Sequence, residues 1–404
     1  MLLPLPGEQR IAAASSSPAI AALGARIGGQ LILHGATLQN ANGIALALDR
    51  AEITGGLVAD GFTADGQVRA LVARIGGQLS LNGATLQNAN GIALYLDFAE
   101  ITGGLFANGF TADGEVRAFG AQIKHEFDLD TASLRNPTGK ALSLELSSIT
   151  MLGLTPSVTE GVVSLYRAQI GDLVTGELPP APLVATGWEV SDIHGPLREN
   201  VEAAMRWLET NPESAKPSQK TSVQPWHALA AVYERNGDPA SARKLRYAAA
   251  KKLTSQSSGL TKVAGWLYDG LVGHGYYPLR TLGWLAAMVL VGWLVVAVAQ
   301  EDIVPANVKD AIAAMDDHAA ATKTTALPFT ARTPCESHPA YPCENSFTFA
   351  FNALAPASVS STDTYWTVKH GAYWLTVMLA LLKLFGWVLA ALLIAGVTGL
   401  LRKT

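Results

Sequence analysis

The first half of the chain alternates apolar positions with polar or small ones at a period of two. In "GQLILHGATL" the apolar positions include Leu31, Leu33 and Leu38, and "GIALALDRAEI" continues the pattern from Ile44. Such alternation is typical of strands with one buried face. Recurrent glycines disfavour a helix by roughly 1 kcal/mol each. The pattern therefore predicts short strands joined by tight turns.

The alternating segment is repeated along the chain. Residues 25–57 and 73–105 are nearly identical, and each copy contains two related halves. A half of this length is too short for a domain but suits one coil of a stacked solenoid. Residues 20–195 are therefore predicted to form a right-handed parallel β-helix (a β-solenoid) of roughly six or seven coils, after an N-terminal cap or tail at residues 1–19. Isoleucines mark the alternating steps of 26 and 22 residues at Ile27, Ile53, Ile75, Ile101 and Ile123.

Repetition also places the same polar residues at the same position of successive copies. Stacked asparagines can hydrogen-bond along a solenoid axis as ladders, and rows of identical charges could bind an extended polymer or another solenoid. A purely structural role in turning and stacking is the alternative. The asparagines are Asn40, Asn42, Asn88 and Asn90, and the charges are Arg26 with Arg74 and Glu52 with Glu100.

Residues 196–270 change to helical periodicity and predict a small α-helical region with a linker. The stretch "PWHALAAVYERNGDPASARKLRYAAAKKL" predicts a helical hairpin with its turn at "NGDP". It resembles a single tetratricopeptide-type unit, and we expect it to pack on the solenoid end or on a partner. Its second helix is basic, which predicts either a solvated face or a contact with anionic lipids near the membrane. The basic residues are Arg243, Lys244, Arg246, Lys251 and Lys252.

Two apolar runs predict transmembrane helices at residues 281–299 and 373–401. The first run has 19 residues and no charge, which meets the length of a spanning helix. The second is long for one span, so it predicts either one tilted or bent helix or an interfacial piece followed by a span. Lys383 is an intramembrane charge in this run, and it either snorkels to the interface or faces a pore or a partner.

The charges beside these runs predict an orientation. Basic residues lie before the first run and after the second, whereas the loop at residues 300–371 has eight acidic and four basic residues. The positive-inside rule places both termini in the cytoplasm and the loop outside. Cys335 and Cys343 lie in this loop, in a compartment that permits a disulfide between them. The loop also contains "FTFAFNALAPAS", which could re-enter the membrane as a short helix, as in two-span channels.

We find no catalytic, cofactor-binding or metal-binding motif in the sequence. The glycine-rich stretches contain no GxGxxG between a strand and a helix, and the chain has no Walker A, HExxH, GxSxG or paired CxxC motif. The two cysteines with His338 fall short of a structural zinc set. A net charge of −4 supplies no basic field for nucleic acid. The predicted partners are membrane lipids and either an unidentified protein or a second copy of the chain.

Four segments in this order resemble a bacterial family of membrane-associated proteins, seen mainly in actinobacteria. They are the repeats of the type "A.IGGQL.L.GA.L.N..G.AL", then "VYERNGD...ARK", then "GYYPLRTLGWL", and finally "GWVLAALLIAGVTGLLRK". Members are often labelled membrane-associated oxidoreductases, and the resemblance implies a location in a bacterial inner (plasma) membrane. The resemblance covers nearly the whole chain, but each motif is structural, and it implies no catalytic residue at any position of this sequence.

Three functions are compatible with these observations. The first is a membrane-anchored scaffold that presents a cytoplasmic repeat surface to a partner or to itself. The second is a two-span channel or pore-forming effector gated by the solenoid. The third is the membrane-associated oxidoreductase that the resemblance implies.

Overall fold

The computed structural model describes residues 17–176, 182–212, 222–313, 329–338, 341–354 and 365–398. Residues 1–16 of the predicted N-terminal tail and residues 399–401 of the second predicted span lie outside the described residues, as do the side chains of Asn42 and Asn90. The chain divides into two compact units, Met1–Gln256 and Ser257–Thr404.

Short parallel strands fill most of the first unit. They are β1 (Ile20–Ala21), β2 (Arg26–Ile27), β3 (Leu31–Ile32), β4 (Thr37–Ala47), β5 (Glu52–Ile53), β6 (Leu57–Val58), β7 (Thr63–Arg69), β8 (Arg74–Ile75), β9 (Leu79–Ser80), β10 (Thr85–Tyr95), β11 (Glu100–Ile101), β12 (Leu105–Phe106), β13 (Thr111–Arg117), β14 (Gln122–Asp128), β15 (Ser133–Ser143), β16 (Ser148–Leu154), β17 (Val158–Ser164), β18 (Gln169–Thr175), β19 (Leu183–Val184) and β20 (Glu189–His194).

These strands build a parallel β-solenoid, which confirms the predicted fold. One sheet of eight strands runs in the order β1-β4-β7-β10-β13-β15-β17-β19, and the other strands form a second sheet that each coil also enters. The described residues therefore contain about eight coils, against the six or seven that the repeats predict. The last coils have lost the repeat pattern, so the alignment of identical letters undercounts them.

The core of the solenoid consists of columns of equivalent side chains, one from each coil. The predicted isoleucines form one column, because each pairs with the next on the neighbouring strand. The column runs from Ile27 through Ile53 to Ile170 and ends at Val190. A second column starts at Leu31 and ends at Ile193. Burying such apolar columns supplies the main driving force for stacking.

The alternation between 26 and 22 residues comes from one strand of each coil. β4 and β10 have 11 residues, whereas β7 and β13 have seven. Gln39 pairs with Asp65, Ile44 pairs with Gln67, and Leu46 pairs with Val68, so seven steps on the longer strand match three on the shorter one and the longer strand contains four extra residues. The extra residues form a bulge at "NANG", which leaves the columns on either side in register.

Stacked glycines replace side chains at one position of the second sheet. Gly29, Gly55, Gly77 and Gly103 follow one another up the coils, each later N–H donating to the carbonyl of the one before. A Cβ atom on Gly103 would lie 2.7 Å from the carbonyl carbon of Gly77, and one on Gly55 would lie 2.8 Å from that of Gly29. The "GG" motifs therefore allow close backbone packing between coils.

Helices follow the solenoid in both units. The first unit has α1 (Pro196–Glu199), α2 (Val201–Glu209), α3 (Gln224–Arg235) and α4 (Pro239–Gln256), and the second has α5 (Leu260–Val272), α6 (Arg280–Val298), α7 (Val308–Ala313), α8 (Ser346–Leu354) and α9 (Tyr373–Val397). Short 3-10 turns lie at Gly273–Gly275, Gln300–Asp302 and Cys335–Ser337, and β21 (Ile303–Pro305) pairs in the antiparallel direction with β22 (Trp366–Val368).

Among the described residues of the second unit, two helices are long and apolar enough to cross a membrane, α6 and α9. α6 has 19 residues and α9 has 25. α9 is one continuous helix, so of the two predicted forms of the second run the structure has the single long helix. α8 packs with α6 and α9, and its buried residues Ala350 and Leu354 belong to the same apolar cluster as Val296 and Leu375.

Candidate interaction surfaces

The repeated charges form one alternating ladder on the solenoid surface. The strand register places Arg26, Glu52, Arg74 and Glu100 in a single row. Arg26 Nε lies 3.0 Å from Glu52 Oε2, and Arg74 Nε lies 3.5 Å from Glu100 Oε2. The predicted rows of identical charge are therefore wrong, because coils of 26 and 22 residues alternate and the two residue types fall in the same row. A self-neutralising ladder offers no uniform charge to a polymer.

The repeated asparagines bond to backbone carbonyls rather than to one another. Asn88 Nδ2 donates to the carbonyl of Ile92 at 2.8 Å, and Asn136 makes the same bond to Lys140. The coil between Asn40 and Asn88 has Asp65 beside the asparagine position, so no asparagine stacks directly on another here. The predicted asparagine ladder is therefore wrong for Asn40 and Asn88, whose side chains brace the bulge of the longer strand instead.

Helices of the first unit cover the last coil of the solenoid. Gln224 of α3 accepts from the Gly187 N–H at 2.8 Å and donates to the Trp188 carbonyl at 2.9 Å. Arg235, at the other end of α3, donates to the carbonyls of Val190 and Ser191 at 3.0 and 2.6 Å. These bonds satisfy backbone groups that a terminal strand otherwise exposes. The expectation that the helical hairpin packs on the solenoid end is thus confirmed.

Further contacts hold the same cap in place. Asn236 donates to Asp192 Oδ1 at 2.6 Å, and Thr210 Oγ1 accepts from the Leu183 N–H at 3.1 Å. Tyr233 is buried, donates to the Leu197 carbonyl, and has its pKa raised to about 12, chiefly by burial. Nothing in the sequence marks Gln224 or Arg235 for this role, because it depends on where α3 lies on the coil.

The first coil is exposed where the last coil is covered. Ile27 is half-buried although Ile53, its neighbour in the column, is fully buried. Leu23 and Ile32 of the same coil are 58% and 64% exposed. Among residues 17–38 only Arg26 is charged, so the edge lacks the lysines that commonly prevent strand pairing. Within the described residues, this coil presents the uncovered edges of β1, β2 and β3.

The basic residues of α4 are spread around the helix and partly engaged. Lys244 Nζ lies 2.7 Å from Glu202 Oε1, and Arg246 pairs with Glu234. Lys252 lies over the Trp226 ring, 4.2 Å from its centroid, and burial lowers its pKa. Arg243 and Lys251 are exposed. The lipid contact of this helix stays a prediction, in which these two exposed residues would take the main part.

α5 has a larger exposed apolar surface than α4. Trp266 and Leu260 of this helix are 71% and 87% exposed, and Val263 and Leu267 are also exposed. The helix directly precedes α6, and Trp284 Nε1 of α6 donates to the Gly270 carbonyl at 3.1 Å. An exposed apolar helix with a tryptophan beside a candidate span is typical of an interfacial membrane contact.

The loop cysteines lie in a small aromatic cluster. Cys335 and Cys343 are joined, with Cα atoms 5.7 Å apart, a separation that a disulfide allows. His338 is buried and stacks on Phe329 at a centroid distance of 4.2 Å, with Tyr341 and Trp366 beside it. The cluster therefore gives His338 a packing role in this loop, and the oxidised state of the cysteines in the cell stays a prediction.

Lys383 is exposed near the middle of α9. Ten residues separate it from Tyr373, which at the α-helical rise corresponds to about 15 Å along the axis. The side chain of a helical residue points towards the helix N-terminus, so the ammonium group can reach towards the Tyr373 end. Both predicted roles, snorkelling and a pore-facing or partner-paired charge, stay open.

In the described chain, one group of three side chains could hold a metal ion. Asp172, Asp192 and His194 place ligand atoms within 4.8 Å of one another on the last coils. Asp192 already accepts from Asn236, and Arg198 Nη1 lies 3.7 Å from its Oδ2. A guanidinium group at this distance competes with a cation for the carboxylate, so the group is better explained as part of the polar contacts that hold the helical cap.

No protein-family model, curated protein or solved structure shows a significant match to this chain. Membership of the bacterial family that the motifs resemble therefore stays a prediction. The evidence for function is the geometry of the two units.

Proposed function

We propose that the protein is a membrane-anchored scaffold whose solenoid joins a second copy through its first coil. The observation that carries this proposal is the difference between the two ends of the solenoid. Helices bond to the backbone of the last coil, whereas the edges of β1, β2 and β3 are uncovered in the described residues. An uncovered strand edge is a template for pairing with another chain.

The shape of the open end favours a second solenoid as the occupant. The first coil exposes edges of both sheets together with the half-buried ends of two core columns, at Ile27 and Leu31. One added strand covers one edge, whereas another coil covers all of them. The helical cap at the opposite end opposes head-to-tail stacking, so the pairing closes as a two-fold dimer rather than extending as a fibre.

The membrane part of the proposal rests on α6, α9 and the flanking charges. Both helices are apolar and long enough to span, and the positive-inside rule puts the solenoid on the cytoplasmic side of a bacterial inner membrane. The loop at 300–371 with its cysteines then lies outside. Membrane lipids and a second copy of the chain are the proposed partners.

The test of the scaffold is the mass of the full-length protein in detergent, measured by light scattering. Ile32→Lys adds a charge to the open edge at an exposed position, so we expect a dimer in the wild type and a monomer in this variant. Leu146→Lys changes an exposed leucine on the side of a later coil, and it should leave the dimer unchanged. A wild-type protein that stays monomeric up to high concentration would rule out self-association through this edge.

A second candidate, the two-span channel, is supported by the packing of α8 against both long helices. Asn352 of α8 has a buried Nδ2 atom without a hydrogen-bond partner in the described residues. An unsatisfied amide among apolar helices is costly unless it serves an ion or a water path. Ion flux in proteoliposomes tests this candidate, with Asn352→Leu expected to abolish any flux. Absence of flux in the wild type would reject it.

A further inference from the structure

α8 starts beside the end of α6 and ends beside its interior. Ser346, the first residue of α8, accepts a hydrogen bond from Gln300 Nε2 at 3.3 Å, just beyond the last turn of α6. A Cβ atom on Gly292 of α6 would contact Leu354, the last residue of α8. Gly292 lies eight residues before Gln300, and Leu354 lies eight residues after Ser346. At the helical rise both segments are about 12 Å long, so α8 runs antiparallel along the last third of α6.

The C-terminal end of α8 also contacts the middle of α9. A Cβ atom on Gly386 would lie 3.0 Å from Met288 Cε of α6 and 3.6 Å from the Leu354 carbonyl oxygen. Glycine at this position lets three helices approach closely, as small residues do between membrane helices. Leu354 and Ala350 are fully buried there.

The nearest described residues before and after α8 lie at the same end of α6. Before α8, Gln300 bonds to Ser346. After it, β22 begins at Trp366 and pairs with β21, which follows α6 directly. Trp374 at the start of α9 donates to Asp302 Oδ2 at 3.1 Å, so the long helices meet polar groups at this level. α8 therefore descends from that level without crossing to the other end of α6.

We infer that α8 is a re-entrant half-helix that lies inside the lipid bilayer. This inference rests on the proposed membrane anchoring by α6. If α6 spans, Leu354 lies about 12 Å below the level of Gln300, within the hydrocarbon core. The face of α8 that turns away from α6 carries Phe347 and Phe351, which are 53% and 40% exposed and stack at a centroid distance of 6.3 Å.

Lipid acyl chains are the occupant that fits this face. α8 itself has no charged residue, and its sequence "SFTFAFNAL" satisfies its own backbone as a helix, which the hydrocarbon region requires. In water, an exposed pair of phenylalanines one helical turn apart would be unfavourable, because no described part of the protein covers the two rings. Within the hydrocarbon core the two rings contact acyl chains, which is favourable. The opposite face of α8, with the buried residues Ala350 and Leu354, packs against the long helices.

The test is the reaction of single cysteines with a membrane-impermeant maleimide in intact proteoliposomes and after detergent. The variants are Phe351→Cys, Leu290→Cys at an exposed position of α6, and Val308→Cys on α7, all with Cys335→Ser and Cys343→Ser. We expect the Val308→Cys variant to react freely and the other two to react at least about tenfold more slowly, because the reactive thiolate needs water. Detergent should remove the difference.

The outcomes separate this inference from the anchoring on which it rests. Fast reaction of the Leu290→Cys variant would show that α6 is outside the bilayer and would reject the anchoring. Slow reaction there with fast reaction of the Phe351→Cys variant would reject the re-entrant helix alone. Disulfide-linked dimers of the Phe351→Cys variant would show that a second copy, not lipid, covers this face.

A second measurement keeps the native cysteines in place. A photoreactive benzoylphenylalanine at position 351 should form adducts with lipid that mass spectrometry detects. The same residue at position 308 should form none. Adducts with protein only, or with neither, would overturn the lipid-facing position of α8.

Discussion

Asp97 and Arg117 form an ion pair between neighbouring coils, with Asp97 Oδ2 and Arg117 Nη2 2.9 Å apart. Asp97 Oδ1 also accepts from the Phe119 N–H at 3.0 Å, and the Asp97 side chain is only 4% exposed. One repeat earlier, Asp49 makes the equivalent contacts with Arg69 and the Leu71 N–H. The repeat thus preserves a bridge between a longer coil and the next shorter one.

We expect Asp97→Ala to destabilise the solenoid by about 2–3 kcal/mol, because it leaves the Phe119 N–H unsatisfied and Arg117 without its partner. Urea unfolding of the full-length protein in detergent, followed by circular dichroism, measures the change. Glu52→Gln is the matched control, since Glu52 is in the exposed ladder and such pairs contribute at most about 1 kcal/mol. Equal effects of the two substitutions would contradict the structural role assigned to Asp97.

The glycine column makes a second prediction about stacking. Gly77→Ala places a Cβ atom 2.9 Å from the Gly56 nitrogen and 3.0 Å from the Gly55 carbonyl carbon, so the coils must separate. Overpacking of this kind costs about 1–3 kcal/mol. Gly29→Ala is the control, because no atom lies within 4 Å of its added Cβ at the open end. The unfolding free energy of dilute protein should fall for Gly77→Ala only.

Much of the solenoid could be predicted from sequence because the spacing of its apolar core residues gives the length of each coil. The regular steps between isoleucines are enough to assign Ile27 and Ile53 to one column. The alternating ladder of Arg26 and Glu52 follows from the same steps, because each of these residues lies one position before an isoleucine of the column. The bulge at Asn40 could not be predicted in this way, because it depends on which four residues of the longer coil leave the register, and bulges have no clear sequence signature.

The contacts between elements were harder to predict than the elements. The hairpin of α3 and α4 follows from its helical periodicity, but the bonds of Arg235 to the last coil depend on tertiary placement. Likewise, the hydropathy of "FTFAFNAL" only suggests a short apolar helix. Its depth beside Gly292 follows from a packing contact that no periodicity encodes.

The helical cap predicts what happens when the covered end is opened. Arg235→Ala removes two hydrogen bonds to the Val190 and Ser191 carbonyls and exposes the edge of β20. We expect species larger than a dimer in light scattering, since both ends of the solenoid can then pair. Arg243→Ala is the control because Arg243 is an exposed arginine elsewhere in the cap region. An unchanged size distribution for Arg235→Ala would mean that other contacts suffice to block this end.

Glu344 should contribute more to the stability of the loop at residues 300–371 as the pH falls from neutral towards about 4. Burial raises the pKa of the Glu344 carboxyl, against the hydrogen bond from Ser346, and its Oε1 atom is buried without a partner in the described residues. The folded state therefore binds this proton more tightly than the unfolded state, so protonation favours folding. The gain accumulates from neutral pH through the raised pKa and levels off below the ordinary one.

Glu344→Gln tests this pH dependence because glutamine imitates the protonated carboxyl. We expect the variant to have a higher thermal midpoint than the wild type at pH 7 and the same midpoint near pH 4. Glu336→Gln, an exposed carboxylate in the same loop, serves as the control. A difference at pH 7 in the opposite direction would show that Glu344 is stabilised as an anion.

Lys383 supplies the last prediction, because its position in α9 separates an anchor from a pore. In a simple anchor, Lys383→Leu removes a charge from the apolar region, and the span should insert more favourably by about 1–3 kcal/mol. A glycosylation-based insertion assay measures this change, with Lys369→Leu, just before the helix, as the control without effect. If Lys383 faces a partner or an ion path, the same substitution instead weakens assembly or alters flux while insertion improves. Measuring insertion and assembly on the same variant therefore distinguishes the two roles that the sequence leaves open.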